Sequence, residues 1–211
     1  MEQLTPLVTV ATQLVSSETQ LGERMSTLAE AKERARAAHA AFAHVKEQRT
    51  ERFMTAFEKI QSRVNAVYQE LTLGPQINAV HGVCYLTLED REEPYLGGTN
   101  YHATPPLKRF MPMESLSGGE KTMAALALLF AIHTVSSTPF IILDEVDAAL
   151  DAVNVEKLAR YLRTNCVHGQ YIVISLKDAL YHLSDVLVGV VKDKDQQSSR
   201  VLMMDLCDYT H

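Results

Sequence analysis

Cysteine is scarce in this sequence. Its 211 residues hold three, Cys84, Cys166 and Cys207. They are odd in number and widely spaced, so they form neither a disulfide framework nor a metal-type pair, a usage that suits a reducing compartment. Long apolar runs are missing too. No stretch reaches the length of about 18 residues that a membrane-spanning helix needs, and no membrane partner is expected. The first residues, Met1 to Pro6, lack the basic and apolar regions of a secretory signal. Positive charge is in deficit, with 20 Lys+Arg against 26 Asp+Glu and a net charge of −6. That excludes a protein basic over its whole surface, as general nucleic-acid binders are, but not a local basic patch. Glycine and proline nearly vanish from the first third, where Gly22 alone lies between Pro6 and Gly74. What is present is ordinary globular material, 46% hydrophobic and 22% charged, enough for one or two domains with a sizeable core.

The charge is unevenly spread. Residues 1–71 hold nine basic and nine acidic side chains, whereas residues 72–211 hold eleven and seventeen and so carry the whole excess. With the shift in glycine and proline, this places a boundary near residue 72.

The first segment reads as one long helix. Stepping by alternating threes and fours from Leu4 meets Leu7, Ala11, Leu14, Leu21, Met25 and Leu28, then Ala35, Phe42, Phe53, Ala56 and Ile60. This is the 3.5-residue period of a left-handed coiled coil. Polar or charged side chains interrupt the seam between residues 18 and 49. From Phe53 the stripe broadens to Phe57, Ile60, Val64, Val67 and Leu71, which predicts a helix docking onto a globular body. The expected organisation is a coiled-coil strand over 1–52, a docking helix over 53–72 and an α/β body over 73–211. A lone strand cannot bury its seam, so a second helix should pair with it. A plain packing helix remains the alternative. A DNA-binding zipper is a poor fit, because no basic region precedes the heptads.

The second segment alternates strands and helices. Val83–Leu88 and Thr99–Ala103 read as strands, and a proline-rich loop around Pro105, Pro106 and Pro112 carries Lys108 and Arg109. Thr122–His133 is apolar nearly all round, as a buried helix is. Phe140–Leu143 and Tyr171–Ile174 are continuous apolar runs of the kind found in parallel sheets, with an amphipathic helix, Val153–Cys166, between them. Val186–Val191 and Val201–Leu206 follow, joined by a polar turn. The order predicts an α/β fold with a mostly parallel sheet.

Two motifs carry chemistry. Leu116-Ser117-Gly118-Gly119-Glu120-Lys121 stands just before the buried helix. Glycines admit close approach of a ligand, a helix start offers free N–H groups, and Ser117 adds a hydroxyl. Taken alone, the turn reads better as a plain helix start with Ser117 as its N-cap than as a phosphate site. The second motif is Phe140-Ile141-Ile142-Leu143-Asp144-Glu145, an apolar strand ending in two carboxylates. Asp144 there can support Mg²⁺ through water, and Glu145 can take a proton from an attacking water. Alone, it is equally an ordinary strand exit.

Together, and followed by Ala149-Leu150-Asp151, these motifs resemble the signature motif, Walker B motif and D-loop of ABC-type ATPases. Leu116 to Asp151, with Gly-Gly-Glu-Lys-Thr and Asp-Glu-Val-Asp-Ala-Ala-Leu-Asp, is similar to the C-terminal half of a structural maintenance of chromosomes (SMC) head. The preceding coiled-coil strand fits the same family. Glu93-Pro94-Tyr95-Leu96, Asn100-Tyr101, Lys108-Arg109-Phe110 and Phe53 to Thr72 resemble the cohesin type of SMC head. The resemblance implies the C-terminal lobe of an ABC-type P-loop ATPase head, with ATP and Mg²⁺ bound between two heads. It implies Glu145 as general base and Asp144 at the metal. Ser117, Gly118 and Gly119 would face the nucleotide held by the partner head, Asp151 would reach across the interface, and Glu120 and Lys121 would support the turn. The implied partners are the N-terminal half-head of the same protein, a second SMC head, the C-terminal winged helix of a kleisin, and DNA through the assembled complex. The implied place is the chromosome in the nucleus. The late strands 186–191 and 201–206 are candidates for kleisin docking by analogy.

Two departures matter. No Gly-x-x-x-x-Gly-Lys-Ser/Thr phosphate loop occurs in the sequence, so the chain alone is expected to bind ATP poorly. Where ABC ATPases carry a switch histidine, Ile174-Ser175-Leu176-Lys177 places Leu176. A helicase reading of Asp144-Glu145-Val146-Asp147 is disfavoured by the upstream Ser-Gly-Gly turn. Two alternatives remain: a non-catalytic coiled-coil interaction module, and the head of a condensin or DNA-repair SMC complex.

Overall fold

The computed structural model describes residues 5–73, 80–136, 138–165, 169–193 and 197–207, with side chains from residue 10 onward. Leu4, the side chain of Leu7, Gly74-Pro75 and Cys166 therefore lie outside the described residues. The chain divides into two compact units, Met1–Arg52 and Phe53–His211.

One helix, α1, runs over Thr5–Thr72. Its helix-forming sequence, with one glycine and no proline after the first turn, leaves nothing to break it. In the first unit the seam residues Leu14, Leu21, Met25, Leu28 and Phe42 are all more than half exposed. A stripe of this kind is a packing face without its partner helix.

The second unit begins with the last turns of α1. Phe53, Phe57 and Ile60 are half-buried, and Val64, Val67, Tyr68 and Leu71 are buried. This is the broadened stripe expected from the sequence. It packs with Cys84, Leu86 and Ala103. These come from β1 (Val83–Leu88) and β2 (Thr99–Thr104), an antiparallel pair with Val83 opposite Thr104. Gln61 Nε2 donates to Leu86 O at 2.8 Å, and the Cys84 N–H donates to Asn65 Oδ1 at 3.1 Å. The hairpin is thus bonded to the helix as well as packed on it. Burial pushes the Cys84 thiol up to about 11, against a smaller lowering by Tyr101, which makes it an inert packing residue.

Helix α2 spans Gly118–Ser136, beginning four residues before the expected Thr122. The glycine pair reads as a turn, but Ser117, just outside the helix, and Glu120, in its first turn, cap it reciprocally and bring both glycines into that turn. Strands β3 (Phe140–Asp144) and β4 (Gln170–Ile174) pair in parallel, with Ile142 opposite Ile172, across helix α3 (Ala152–Asn165). Phe130 of α2 is wholly buried, stacked on Tyr161 of α3 at 4.9 Å and edge-on to Tyr171 of β4 at 6.1 Å. A short helix, α4 (Asp178–Tyr181), leads to the antiparallel hairpin β5 (Val186–Asp193) and β6 (Ser198–Asp205).

The α/β expectation is met. Among the described residues parallel pairing is confined to β3 and β4, and the other two pairs are hairpins. Short connections between β1 and β2 and between β5 and β6 permit only antiparallel pairing, whereas the crossover through α3 permits the parallel one. One face of the parallel pair, bearing Ile141, Leu143, Tyr171 and Val173, packs inward. The opposite face, bearing Phe140, Ile142, Asp144, Ile172 and Ile174, is exposed. No described helix is long and apolar enough to cross a membrane.

Candidate active site

The glycine turn is held from several sides. The Ser117 N–H donates to Glu120 Oε2 at 2.9 Å, and the Glu120 N–H points back to Ser117 Oγ at 3.4 Å. This is a reciprocal cap. It uses the Ser117 oxygen as acceptor, and the Ser117 hydroxyl also bonds the Glu120 carboxylate. Lys108 in the preceding loop pairs with Glu120 Oε1 at 2.7 Å. Partial burial tends to raise the Glu120 carboxyl, but Lys108 and the two Ser117 contacts outweigh it and hold it below the usual range. Lys121 Nζ donates to Glu114 O at 2.9 Å. Glu120 and Lys121 therefore brace the turn. Ser117 and Gly118 are exposed, and Gly119 is half-buried, at a helix start whose first N–H groups have no intrahelical acceptor. A Cβ on Gly119 would lie 3.0 Å from Ala149 O, so any larger residue would make the loop that follows β3 give way by a few tenths of an ångström.

That loop holds the acidic pair. Asp144 ends β3 on the open face, and both it and Glu145 are exposed. Glu145 has φ +48°, a left-handed backbone outside glycine. Such a conformation is uncommon and persists only where neighbours impose it. Its N–H donates to Ile174 O at 3.0 Å, and its carbonyl accepts from Ala148 N–H at 3.1 Å. Asp147, almost wholly buried, accepts from Ser175 Oγ at 2.7 Å, and its carbonyl accepts from Leu150 N–H at 3.0 Å. Asp151 is exposed and caps α3 by accepting from Asn154 N–H at 2.9 Å.

All eight sequence-derived residues thus lie on two adjoining turns. The glycine turn bears Ser117, Gly118, Gly119, Glu120 and Lys121, and the loop after β3 bears Asp144, Glu145 and Asp151. The turns fit phosphate and a hard cation respectively. Exposed donors at a helix start suit a phosphate, and the exposed carboxylates at a strand end suit Mg²⁺. Sequence reasoning placed Lys108 in the proline-rich loop but gave it no part in the turn; the Ser-x-x-Glu spacing is a signal for the cap that it supports. Sequence reasoning also missed Lys177, whose contacts lie about thirty residues back in the chain and leave no local pattern. Leu176, at the switch position, is 89% exposed.

Residues 12–199 match the family described as RecF/RecN/SMC N terminal domain. The chain is 46% identical over 210 residues to structural maintenance of chromosomes protein 1 of Schizosaccharomyces pombe, covering 99% of this chain and 17% of that protein. It is 48% identical over 171 residues to the protein of the same name in Saccharomyces cerevisiae, covering 80% and 14%. It thus spans about a sixth of these relatives' length. Among solved structures it is similar to the Smc head domain of Pyrococcus furiosus, with an extended coiled coil and bound to the C-terminal domain of ScpA. There the TM-score is 0.68 at 32% identity, over 78% of this chain and 39% of that one. It is likewise similar to a structure from work on ATP-driven dimerization and DNA-stimulated activation of SMC ATPases. That match has TM-score 0.64 at 32% identity, over 74% of this chain and 90% of that one. The chain belongs to the SMC family, as part of an SMC1-like ATPase head with its adjoining coiled-coil helix.

Proposed function

We propose that this chain supplies one half of an ATP-hydrolysing head: signature turn, Walker B carboxylates and D-loop, but no phosphate loop. Its own N-terminal half-head would supply that loop, and a second SMC head would close the site. The observation that carries this reading is the pairing of two half-sites on adjoining turns in a chain with no phosphate loop.

In this reading Glu145 accepts the proton of the attacking water, and its fixed backbone sets the direction of the carboxylate. Asp144 supports Mg²⁺, which offsets charge on the phosphates when bound. Ser117, Gly118 and Gly119 donate to the γ-phosphate of ATP held by the opposite head. ATP then joins the heads, because donors from both sides stabilise one charge, and hydrolysis weakens the joint. Such a cycle would drive DNA entrapment and chromosome cohesion in the nucleus. The relatives' names support the cohesin assignment over condensin or repair complexes. The Pyrococcus furiosus head is bound to the C-terminal domain of ScpA, which supports a kleisin winged helix as partner. The exposed hairpin β5–β6, with Val188, Val190, Leu202 and Met203 open to solvent, is its candidate docking surface.

A non-catalytic coiled-coil module is the second reading, favoured by the exposed seam of α1. Mixing separates the two. ATP hydrolysis is expected only when this chain is combined with the N-terminal half-head and the partner head. There Glu145→Gln should abolish turnover and keep ATP-driven head association, and Ser117→Arg should abolish the association. Hydrolysis at a full rate by the 211-residue chain alone, or by the reconstituted Glu145→Gln head, would overturn the proposal.

A further inference from the structure

Lys177 stands just beyond β4, next to the leucine that occupies the switch position. Its side chain turns away from that position and back under the loop after β3. Nζ donates to Asp147 O at 2.6 Å and to Leu150 O at 2.7 Å. An ammonium carries three donors in one small volume, and two of them bind this loop. The segment has helical-type turns, Ala148 N–H to Glu145 O and Leu150 N–H to Asp147 O. The cation therefore sits where carbonyl groups converge, and such a charge-assisted contact is stronger than a neutral one.

The rest of the strand exit is built around the same loop. The Lys177 N–H donates to Ser175 Oγ at 3.0 Å, and that hydroxyl donates to the buried carboxylate of Asp147. Tyr181 Oη donates to Ser175 O at 2.6 Å, and Ile174 O receives the Glu145 N–H. Four consecutive residues, Ile174 to Lys177, thus contribute three that grip the segment between the candidate base and Asp151. On its other side, that segment meets the glycine turn at Ala149.

We infer that Lys177 is a positioning residue for ATP hydrolysis, acting with Ser175 to fix the loop that aims Glu145 and presents Asp151. The inference rests on the functional reading above. In this chain the strand exit does not reach the phosphate with a histidine, and its polar side chains hold the hydrolytic loop. Removing the ammonium frees two carbonyls and relaxes the constraint that keeps Glu145 left-handed. The phosphate-facing turn at Ser117 starts a different element, α2, and keeps its own cap from Glu120.

The test uses the complete subunit paired with its partner head, comparing Lys177→Met, Lys177→Gln and Lys177→Arg. A misplaced catalytic group typically costs about 10- to 100-fold in rate. Met and Gln variants should lose kcat by about that factor while KM and ATP-driven association stay within about twofold, the pattern of a contribution made at the transition state. Arg, which keeps the charge and the donors, should restore most of kcat. A Met or Gln variant with wild-type kcat would overturn the inference, as would parallel loss of ATP affinity and rate that Arg does not rescue. If Lys177→Met does not fold, Gln against Arg decides. Glu145→Gln is the control. If it still hydrolyses ATP, the functional reading fails. If it is silent and Lys177→Met is normal, only the inference about Lys177 fails.

Discussion

Glu120 illustrates what one side chain contributes here. It accepts the Ser117 N–H, its own N–H faces Ser117 Oγ, and its carboxylate pairs with Lys108. Its carboxyl is held below the ordinary value of 4.5. A lowered value means that the folded chain favours the charged form. The resulting stability is present above the unfolded value of 4.5 and is lost as pH falls through the lower folded value. Glu120→Ala should therefore cost about 1–2 kcal/mol at neutral pH, the usual size of a lost cap with a charged partner. At acid pH, once the carboxyl has been titrated through its lowered folded value, the gap from wild type should narrow, since the wild-type carboxyl is then protonated too. Urea unfolding at both pH values checks this. Ser117 was legible in sequence as an N-cap, whereas the support from Glu120 entered only through the family resemblance. The third member of the cap, Lys108, lies twelve residues away in a proline-rich loop, and no period or motif links the two.

Elements were legible where a strong period met a clear boundary. The apolar runs at Phe140 and Tyr171 became β3 and β4, and the stripe from Phe53 to Leu71 became the packed end of α1. The start of α2 was misplaced because two glycines ordinarily end or precede a helix, and here the reciprocal cap overrides that tendency. Parallel pairing was overstated for a topological reason: apolar runs do not reveal whether a hairpin or a crossover joins them. Helix α2 is anchored where Phe130 meets Tyr161 and Tyr171. Phe130→Ala should lose about 3–5 kcal/mol, the usual cost of deleting a fully buried aromatic ring. The denaturation midpoint should fall with unchanged slope. A loss under about 1 kcal/mol would mean that the ring does not anchor the helix.

At the scale of the molecule, the sequence predicts partners, because a seam of leucines and a head without a phosphate loop both call for them. What it did not show is where the globular unit stays open. The register supplies that: Ile142 faces Ile172 and Asp144 faces Ile174 on the uncovered side of the parallel pair. Parallel sheets are as a rule covered on both faces, so an apolar open face next to a candidate metal-binding carboxylate suits a joint with the other half of the head. Ile172→Asp separates this joint from plain stability. The residue is 42% exposed, so in the chain alone the change should shift stability by no more than about 0.5 kcal/mol. At a joint the same carboxylate would be buried without a partner, which is far more costly. The expected outcome is normal folding with loss of binding to the N-terminal half-head, read by co-purification. A variant that co-purifies as well as wild type would place the joint elsewhere on the unit.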